Sequence, residues 1–220
     1  MIVLIEKMEA IYQNTDKYDI IIAAAQRRLG LFGYEKTTMS EIAGDVSMSK
    51  AALYYYFPDK ESIFKAVIEK ELVDFFKRIK PVIESIQSPQ ERLMAYVKLR
   101  IGYFREFMNL SKFRISNPES ATPMLRELFH KFRSQESLYF TELLQYGKDS
   151  GVFHFENAYA LSQLFLDILK GLRLALVPHK QYIELKEEEI DLILARAVEF
   201  TEIFIRGLLY SGSDLPVDPV

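Results

Sequence analysis

The stretch TTMSEIAGDVSMSKAALYYYFPDK, residues 37–60, contains two short helical patterns separated by a tight turn. Thr38 precedes the first pattern and Glu41 follows three residues later, the spacing at which each side chain satisfies the other's free backbone donor. Ser49 stands before the second pattern, where its hydroxyl can accept a hydrogen bond from a free N–H of the first turn. The two predicted helices span residues 39–46 and about 49–56.

Two short helices joined by a tight turn are typical of a helix-turn-helix, whose second helix enters the DNA major groove. Ala43 suits the crossing of these helices, because a large side chain there would force the axes apart. Four aromatic residues, Tyr54 to Phe57, end the second helix. They either fill the core of the small domain or form a surface that binds a partner, and we expect Phe57 to be a core residue.

The composition excludes several kinds of site. The chain has 220 residues, of which 49% are hydrophobic and 27% charged, so it can bury a sizeable core. It has no cysteine, which excludes disulfides and thiolate zinc sites. The formal net charge of -3 favours no class of partner.

Apolar residues recur at helical spacing along almost the whole chain, and the alternation typical of strands is nearly absent. The sequence predicts a long helix from about Asp59 that Pro81 kinks or ends, because proline removes a donor and clashes with the preceding turn. Other predicted helix ends and loops lie at Gly33, Ser88-Pro89, residues 116–123 and Gly151. The last two helices are predicted over about 157–177 and 186–210.

No segment of the sequence is predicted to enter a membrane. The apolar run 1–5 is too short for the core of a signal peptide, and Glu6 follows it directly. The apolar region 161–177 is broken by three charged residues and falls short of the ~18 apolar residues that span a bilayer. We therefore expect a cytoplasmic protein with no membrane partner.

A series of short motifs stands at fixed spacing between residues 21 and 67. The motifs are Ile21-Ile22, Ala24-Ala25, Gly33-Tyr34, Thr37-Thr38, Ile42-Ala43, Ser49-Lys50, Leu53-Tyr54, Phe57 and Lys60-Glu61. In this order and register the segment resembles the DNA-binding domain of the TetR family of bacterial transcriptional regulators. The rest of the chain resembles the family only in its helical character and length.

Four positions depart from the family pattern. The turn between the two short helices usually carries glycine where Ser47 stands, and a left-handed backbone there would cost serine about 1 kcal/mol. Arg28-Leu29 replaces a common Leu-Phe pair, and Ala51 replaces a frequent glycine. Neither of these two changes disables the motif.

The resemblance implies an all-α fold in which an N-terminal three-helix helix-turn-helix domain precedes a larger C-terminal helical bundle. It implies a ligand-responsive regulator, a repressor released from a palindromic operator by a small apolar or aromatic effector. The implied segments are an N-terminal extension over 1–15, a DNA-binding domain over 16–65, an effector-binding and dimerisation domain over 66–210, and a disordered tail over 211–220.

The resemblance also implies which residues contact double-stranded operator DNA. Lys50 can donate to guanine, although neutralising a phosphate is an equal alternative, and the alanines beside it can touch thymine methyls. Tyr54 can donate to a phosphate oxygen, and Lys60 can meet phosphate at the start of the next helix. The full predicted set is Thr38, Met39, Ser40, Ser49, Lys50, Ala51, Ala52, Tyr54, Tyr55 and Lys60.

The charges of the predicted DNA-binding domain leave an alternative open. Seven basic and seven acidic residues balance between Asp16 and Lys65, whereas DNA-binding domains usually carry a basic surface. The alternative is an all-helical protein-interaction module that has lost DNA binding.

The last two helices of TetR-like proteins form a homodimer interface, and both predicted helices carry an apolar stripe that could pack as a four-helix bundle. The alternative is that both stripes belong to the core of one subunit. The predicted interface comprises Leu161, Phe165, Ile168, Leu172, Ala197, Phe204 and Leu208.

The C-terminal helices of the family also hold a pocket for the effector, a small molecule that this sequence does not identify. Many aromatic residues lie in this part of the chain, and arginines could supply polar groups, although ordinary core packing is the alternative for each aromatic. The predicted pocket comprises Tyr96, Arg100, Tyr103, Phe104, Phe107, Phe132, Tyr139, Phe165 and Arg173.

An enzyme is a poor match to this sequence. It lacks a glycine-rich phosphate loop, a nucleophile elbow and a metal-binding spacing, and its three histidines, His130, His154 and His179, stand far apart. We therefore predict no catalytic residue, no metal and no cofactor.

Overall fold

A computed structural model describes residues 2–111, 123–177 and 186–209, and within these ranges every regular element is a helix. Side chains are described for residues 17–34, 36–103, 105, 127–128, 130–177 and 186–209. The helices are α1 (Ile2–Lys36), α2 (Met39–Asp45), α3 (Lys50–Tyr56), α4 (Lys60–Glu84), α5 (Pro89–Ser111), α6 (Pro123–Asp149), α7 (Ala158–Leu176) and α8 (Glu187–Leu209). The predicted all-α fold is confirmed.

The chain divides into two compact units. The first contains α1, α2, α3, the part of α4 that ends at Val73, and residues 106–111 of α5 and 123–126 of α6. The second contains α4 from Asp74, α5 up to Arg105, α6 from Glu127, and helices α7 and α8. Helix α4 therefore contributes residues to both units.

The first unit has a small core that holds the two short helices α2 and α3 against α1 and α4. Each helix supplies apolar side chains that are almost fully buried, and burial of this kind is the main favourable term in folding. The core residues include Ile21, Ala25, Leu29, Ile42, Ala43, Leu53, Ile63 and Val67. Gly33 has a φ of 78°, so the predicted left-handed break in the first helix is present, and α1 continues beyond it to Lys36.

The sequence predicted that Pro81 kinks or ends this helix, and the second alternative is wrong, because α4 continues past Pro81 to Glu84. The physical reason is its position in the last turn. Pro81 has no N–H to donate, but its carbonyl oxygen still accepts a hydrogen bond from the backbone N–H of Ser85 at 3.3 Å.

The connection between α6 and α7 is fixed by close packing in the second unit. Phe153 is buried against Gly147, and the backbone N–H groups of Val152 and Phe153 both donate to the Gly147 carbonyl oxygen at 3.0 Å. Gly151 has a φ of 73°, which confirms the predicted break there. The N–H of His154 donates to the carbonyl oxygen of Leu208 at 2.7 Å, which ties this connection to the end of α8.

Three sequence predictions can be compared with the structure only as far as the described residues extend. Within these limits, no helix combines the length and apolar character needed to cross a membrane. The same residues contain no group of three or more His, Cys, Asp or Glu side chains that could hold a metal ion. The predicted tail over 211–220 and the predicted loop up to residue 122 lie outside them, and Pro123 begins α6.

Candidate nucleic-acid interface and effector region

Both short helices of the first unit begin at the predicted caps. Thr38 and Glu41 form a capping box, in which Thr38 Oγ1 accepts from Glu41 N at 3.3 Å and Glu41 Oε2 accepts from Thr38 N at 2.9 Å. Ser49 Oγ accepts from Ala52 N at 3.1 Å. These bonds satisfy donors that would otherwise be free at each helix start, so they fix where α2 and α3 begin.

The predicted turn between α2 and α3 is present, and its backbone adopts the left-handed form in spite of the cost to serine. Ser47 has a φ of 53°, in the left-handed region where glycine is favoured. The N–H of Met48 donates to the carbonyl oxygen of Ala43 at 2.9 Å, which closes the turn. Ala43 is buried, as expected for a residue at a close helix crossing.

Arg28 of α1 holds two acidic residues of α2. Its guanidinium lies 2.5 Å and 2.7 Å from the carboxylate oxygens of Asp45, and 3.3 Å from Glu41 Oε1. The hydrogen bonds from Arg28 lower the pKa of Asp45, and those from Thr38, followed by the charge of Arg28, lower the pKa of Glu41. The Asp45 bond in turn raises the pKa of Arg28. One hint of this contact was present in the sequence, because Arg28 departs from the family pattern.

The outward face of α3 is polar and aromatic. Tyr55 is 81% exposed and Tyr54 is 42% exposed, whereas Leu53 between the helices is fully buried. Lys50 Nζ lies 5.8 Å from the centroid of the Tyr54 ring. The other predicted contacts that are exposed or partly exposed are Thr38, Ser40, Ser49, Ala51 and Ala52.

Two of the residues near this face are core residues. Met39 is only 7% exposed, so we remove it from the proposed DNA contacts, because a side chain packed in the core cannot reach a base edge. Phe57 is 3% exposed and its ring stacks on that of Tyr18 at a centroid distance of 4.9 Å. The expectation that Phe57 belongs to the core is therefore confirmed.

Lys60, the first residue of α4, is engaged within the unit. Its Nζ donates to the carbonyl oxygen of Tyr34 at 2.9 Å and lies 4.1 Å from the centroid of the Tyr34 ring. That ring packs on Phe64 at a centroid distance of 4.9 Å. The start of α4 is thus joined to the part of α1 that follows Gly33.

Comparison with known proteins agrees with this geometry. Residues 21–67 match the model of the family described as bacterial regulatory proteins, tetR family. A crystal structure of a transcriptional regulator from Cytophaga hutchinsonii ATCC 33406 is 34% identical to this chain, covers 88% of it and 99% of its own length, and superposes with a TM-score of 0.79. The chain belongs to the TetR family of bacterial transcriptional regulators.

Two further relatives show how far the similarity extends. The HTH-type transcriptional regulator RutR of Escherichia coli (strain K12) is 27% identical over 111 residues, which are 50% of this chain and 52% of RutR. The chain therefore spans about half the length of the curated relatives it matches. A TetR-family structure from Mesorhizobium loti MAFF303099 is 19% identical, covers 86% of this chain and 96% of its own, and shares the fold with a TM-score of 0.68.

The second unit of this TetR-family chain contains a buried ion pair between α5 and α6. Arg100 Nε lies 2.5 Å from Glu136 Oε1, and Tyr96 Oη donates to the same oxygen at 2.7 Å. Tyr96 and Glu136 are almost fully buried. Burial, followed by the charge of Glu136, raises the pKa of Tyr96. The sequence analysis missed Glu136, although it stands on the same apolar stripe of α6 as Phe132 and Tyr139.

Aromatic rings from α4, α5 and α6 form a contiguous cluster beside this ion pair. The Phe75 ring lies 5.2 Å from Tyr103 and 5.5 Å from Phe132, and the Phe76 ring lies 6.0 Å from Tyr139, all between centroids. The structure therefore brings together three of the predicted pocket aromatics. Phe75 and Phe76 were missed because both lie on the connecting helix, where the sequence predicted no pocket residues.

The remaining predicted pocket residues lie elsewhere or are not described. Phe165 stacks on Phe140 at a centroid distance of 4.4 Å, and Phe140 in turn lies 5.0 Å from Tyr96. Arg173 lies in the last turn of α7 and is partly buried. The side chains of Phe104 and Phe107 lie outside the described residues.

The predicted dimer residues divide into inward and outward positions. Phe165, Ala197 and Leu208 are buried within the subunit itself, so they cannot offer surface to a partner, while the other four are partly exposed. A helical stripe includes both kinds of position because residues three and four apart are rotated by different amounts. The exposed apolar side chains of α7 and α8 are Leu164, Leu174, Leu192, Ile203 and Leu209.

Proposed function

We propose that this TetR-family chain is a homodimeric repressor that binds a palindromic operator and is released from it by a small-molecule effector. The observation that carries the proposal is the exposed face of α3, which two capped helix starts and a closed turn hold in one position. A recognition helix must be rigid because its side chains have to meet base edges at fixed distances.

The residues of this face suit different parts of the DNA. Lys50 would donate to guanine or neutralise a phosphate, and the Ala51 methyl would touch a thymine methyl. Tyr54 and Tyr55 would donate to phosphate oxygens, which position the protein without reading sequence. Lys60 would contribute a further phosphate contact.

Two acidic residues of α2 are paired with Arg28, and this pairing bears on how a unit of balanced charge could bind DNA. Arg28 contacts both Asp45 and Glu41 and offsets one of their two negative charges. This pairing reduces the repulsion that two free carboxylates on α2 would exert on the phosphates. The lysines at 50 and 60 can then act on DNA without a strongly basic surface, and a dimer doubles every contact.

The homodimer would form through the outward faces of α7 and α8. Leu164 is 54% exposed on α7 and Ile203 is 68% exposed on α8. In a single subunit both side chains would contact water. Two such helices from each subunit can pack as a four-helix bundle. A two-fold axis would present two α3 helices to two half-sites of a palindrome.

Regulation would act through α4, because this helix contributes residues to both units. An effector that binds the second unit would have to prefer the DNA-incompetent state, and DNA would reciprocally weaken its binding. A hundredfold release requires about 2.7 kcal/mol of differential affinity between the two states.

Selection of DNA by the full chain from a random duplex library tests the proposed function. We expect enrichment of a palindrome bound by one dimer, with an affinity that falls as salt concentration rises. A library that shows no enrichment, with the protein folded, would contradict the proposal and favour an all-helical protein-interaction module.

A further inference from the structure

The hydroxyl of Tyr139 is buried without a hydrogen-bond partner. Tyr139 lies on α6 and is 3% exposed, and no described residue accepts from or donates to its Oη. An unpaired buried polar atom is rare in native proteins, because it gives up its hydrogen bonds to water and receives none in return.

Other buried polar side chains in the second unit are satisfied. Tyr96 Oη donates to Glu136, Ser162 Oγ donates to the Ser137 carbonyl oxygen at 2.8 Å, and Thr201 Oγ1 donates to the Ala197 carbonyl oxygen at 2.6 Å. Phenylalanine would fill the space of the Tyr139 ring without the unpaired hydroxyl. The hydroxyl is thus a cost to the free subunit that packing alone does not explain.

The Tyr139 ring lies among aromatic neighbours. Its centroid is 6.0 Å from that of Phe76 and 6.3 Å from that of Tyr96, and Lys80 Nζ lies 4.7 Å from it. Burial and then the charge of Glu84 raise the pKa of Tyr139. The phenol therefore stays protonated and remains a hydrogen-bond donor.

The charges that bear on this residue cancel. Lys80 and Arg92 are positive, and Glu84 and Glu142 are negative. The nearby Arg100 is already paired with Glu136. An ionic ligand would find no net opposite charge here. It would lose its hydration on binding, and no ion pair would compensate for that loss.

We propose that the Tyr139 hydroxyl is the hydrogen-bonding anchor of the effector site, and that the effector is an uncharged planar molecule carrying an acceptor atom. This inference rests on the proposed ligand-responsive function. The acceptor would receive the orphaned O–H, and the planar body would pack against the rings of Phe76 and Tyr96.

The thermal stability of the ligand-free protein gives the first test. Tyr139→Phe should raise Tm by about 2–4 °C, because it removes an unpaired buried polar group. Tyr96→Phe is the matched control and should lower Tm, since it removes a donor from the buried Glu136. A lower Tm for Tyr139→Phe would show that the hydroxyl has a partner such as a buried water, and would overturn the proposal.

Binding of four matched probes gives the second test. NMR titration of the full chain measures the binding of each probe. Acetophenone supplies a carbonyl acceptor, ethylbenzene has the same carbon skeleton without the oxygen, and benzoate and benzylammonium carry opposite charges. We expect acetophenone to bind the parent chain, and to bind Tyr139→Phe about tenfold more weakly, which corresponds to ~1.4 kcal/mol. Ethylbenzene should bind both proteins equally, and the two ions should not bind.

Three results would overturn the proposal: no binding of acetophenone, equal binding of acetophenone to both proteins, or tighter binding of either ion. Operator affinity measured on the same preparations separates this inference from the proposed function. Loss of operator binding with the expected probe results would reject only the regulator proposal. Normal operator binding with failed probe results would reject only the anchor.

Discussion

Lys60 Nζ lies 2.9 Å from the carbonyl oxygen of Tyr34 and 4.1 Å from the centroid of the Tyr34 ring. A lysine ammonium has three N–H donors, so one can hold Tyr34 while two remain for a phosphate. The same side chain can therefore position the start of α4 and contribute charge to DNA binding.

Replacing Lys60 separates these two roles. Lys60→Met should weaken binding to all DNA sequences alike and reduce the slope of log K against log salt by about 1, because one phosphate contact is lost. Lys60→Arg should retain the slope. Fluorescence anisotropy titrations at several salt concentrations measure both quantities, and a changed base preference in Lys60→Met would contradict the phosphate role.

Ser47 occupies a left-handed backbone position with a φ of 53°. Ser47→Gly should stabilise the protein by up to about 1 kcal/mol, since glycine adopts this conformation without a clash at Cβ. Ser47→Ala keeps the Cβ and should bring no gain. Urea denaturation followed by circular dichroism measures the difference, and equal stability of the glycine and alanine variants would remove the strain argument.

The helix-turn-helix was predictable because its signals are local. Thr38, Glu41 and Ser49 act on backbone groups within three residues of themselves, so their spacing in sequence determined the helix starts. The existence of the turn was predictable for the same reason, but its left-handed form at Ser47 was not, because the sequence has serine where the family usually has glycine. For Pro81 the sequence left a kink and a helix end as alternatives, and the helix runs three residues beyond it.

Contacts between distant segments could not be predicted from this sequence. The pairs Arg28–Asp45 and Arg100–Glu136 join residues on different helices, and spacing carries no information about which helices meet. Phe165 illustrates a second limit. Its apolar position on α7 fitted both a core and an interface, and burial in the folded subunit was needed to distinguish them.

Gly147 leaves no room for a side chain, because a Cβ there would overlap the ring of Phe153. Gly147→Ala should therefore destabilise the protein by about 1–3 kcal/mol. Gly102→Ala is the control, since a Cβ at Gly102 of α5 meets nothing within 4 Å. That variant should be stabilised by about 0.5–1 kcal/mol, because alanine favours helix. Calorimetric unfolding in which both variants behave alike would contradict the packing of this connection.

Ile203 and Leu164 test the proposed dimer faces. Changing both to glutamate should raise the dimer dissociation constant about a hundredfold or more, because the interface would bury unpaired charge. Leu138→Glu is the control, since Leu138 is 58% exposed and lies on α6, which is not one of the two helices of the proposed interface. Sedimentation velocity reports the oligomeric state and circular dichroism the fold. A folded double variant that remains a dimer would place the interface elsewhere.

The central claim is that the exposed face of α3 contacts DNA, and charge reversal of Lys50 tests it most directly. Lys131 on α6 is also exposed, so Lys50→Glu and Lys131→Glu change the net charge of the chain equally. Affinity for the selected operator should fall at least about tenfold in Lys50→Glu, because one contact is replaced by repulsion, and should stay near the parent value in Lys131→Glu. Equal affinities of the two folded variants would contradict the claim that α3 binds the operator.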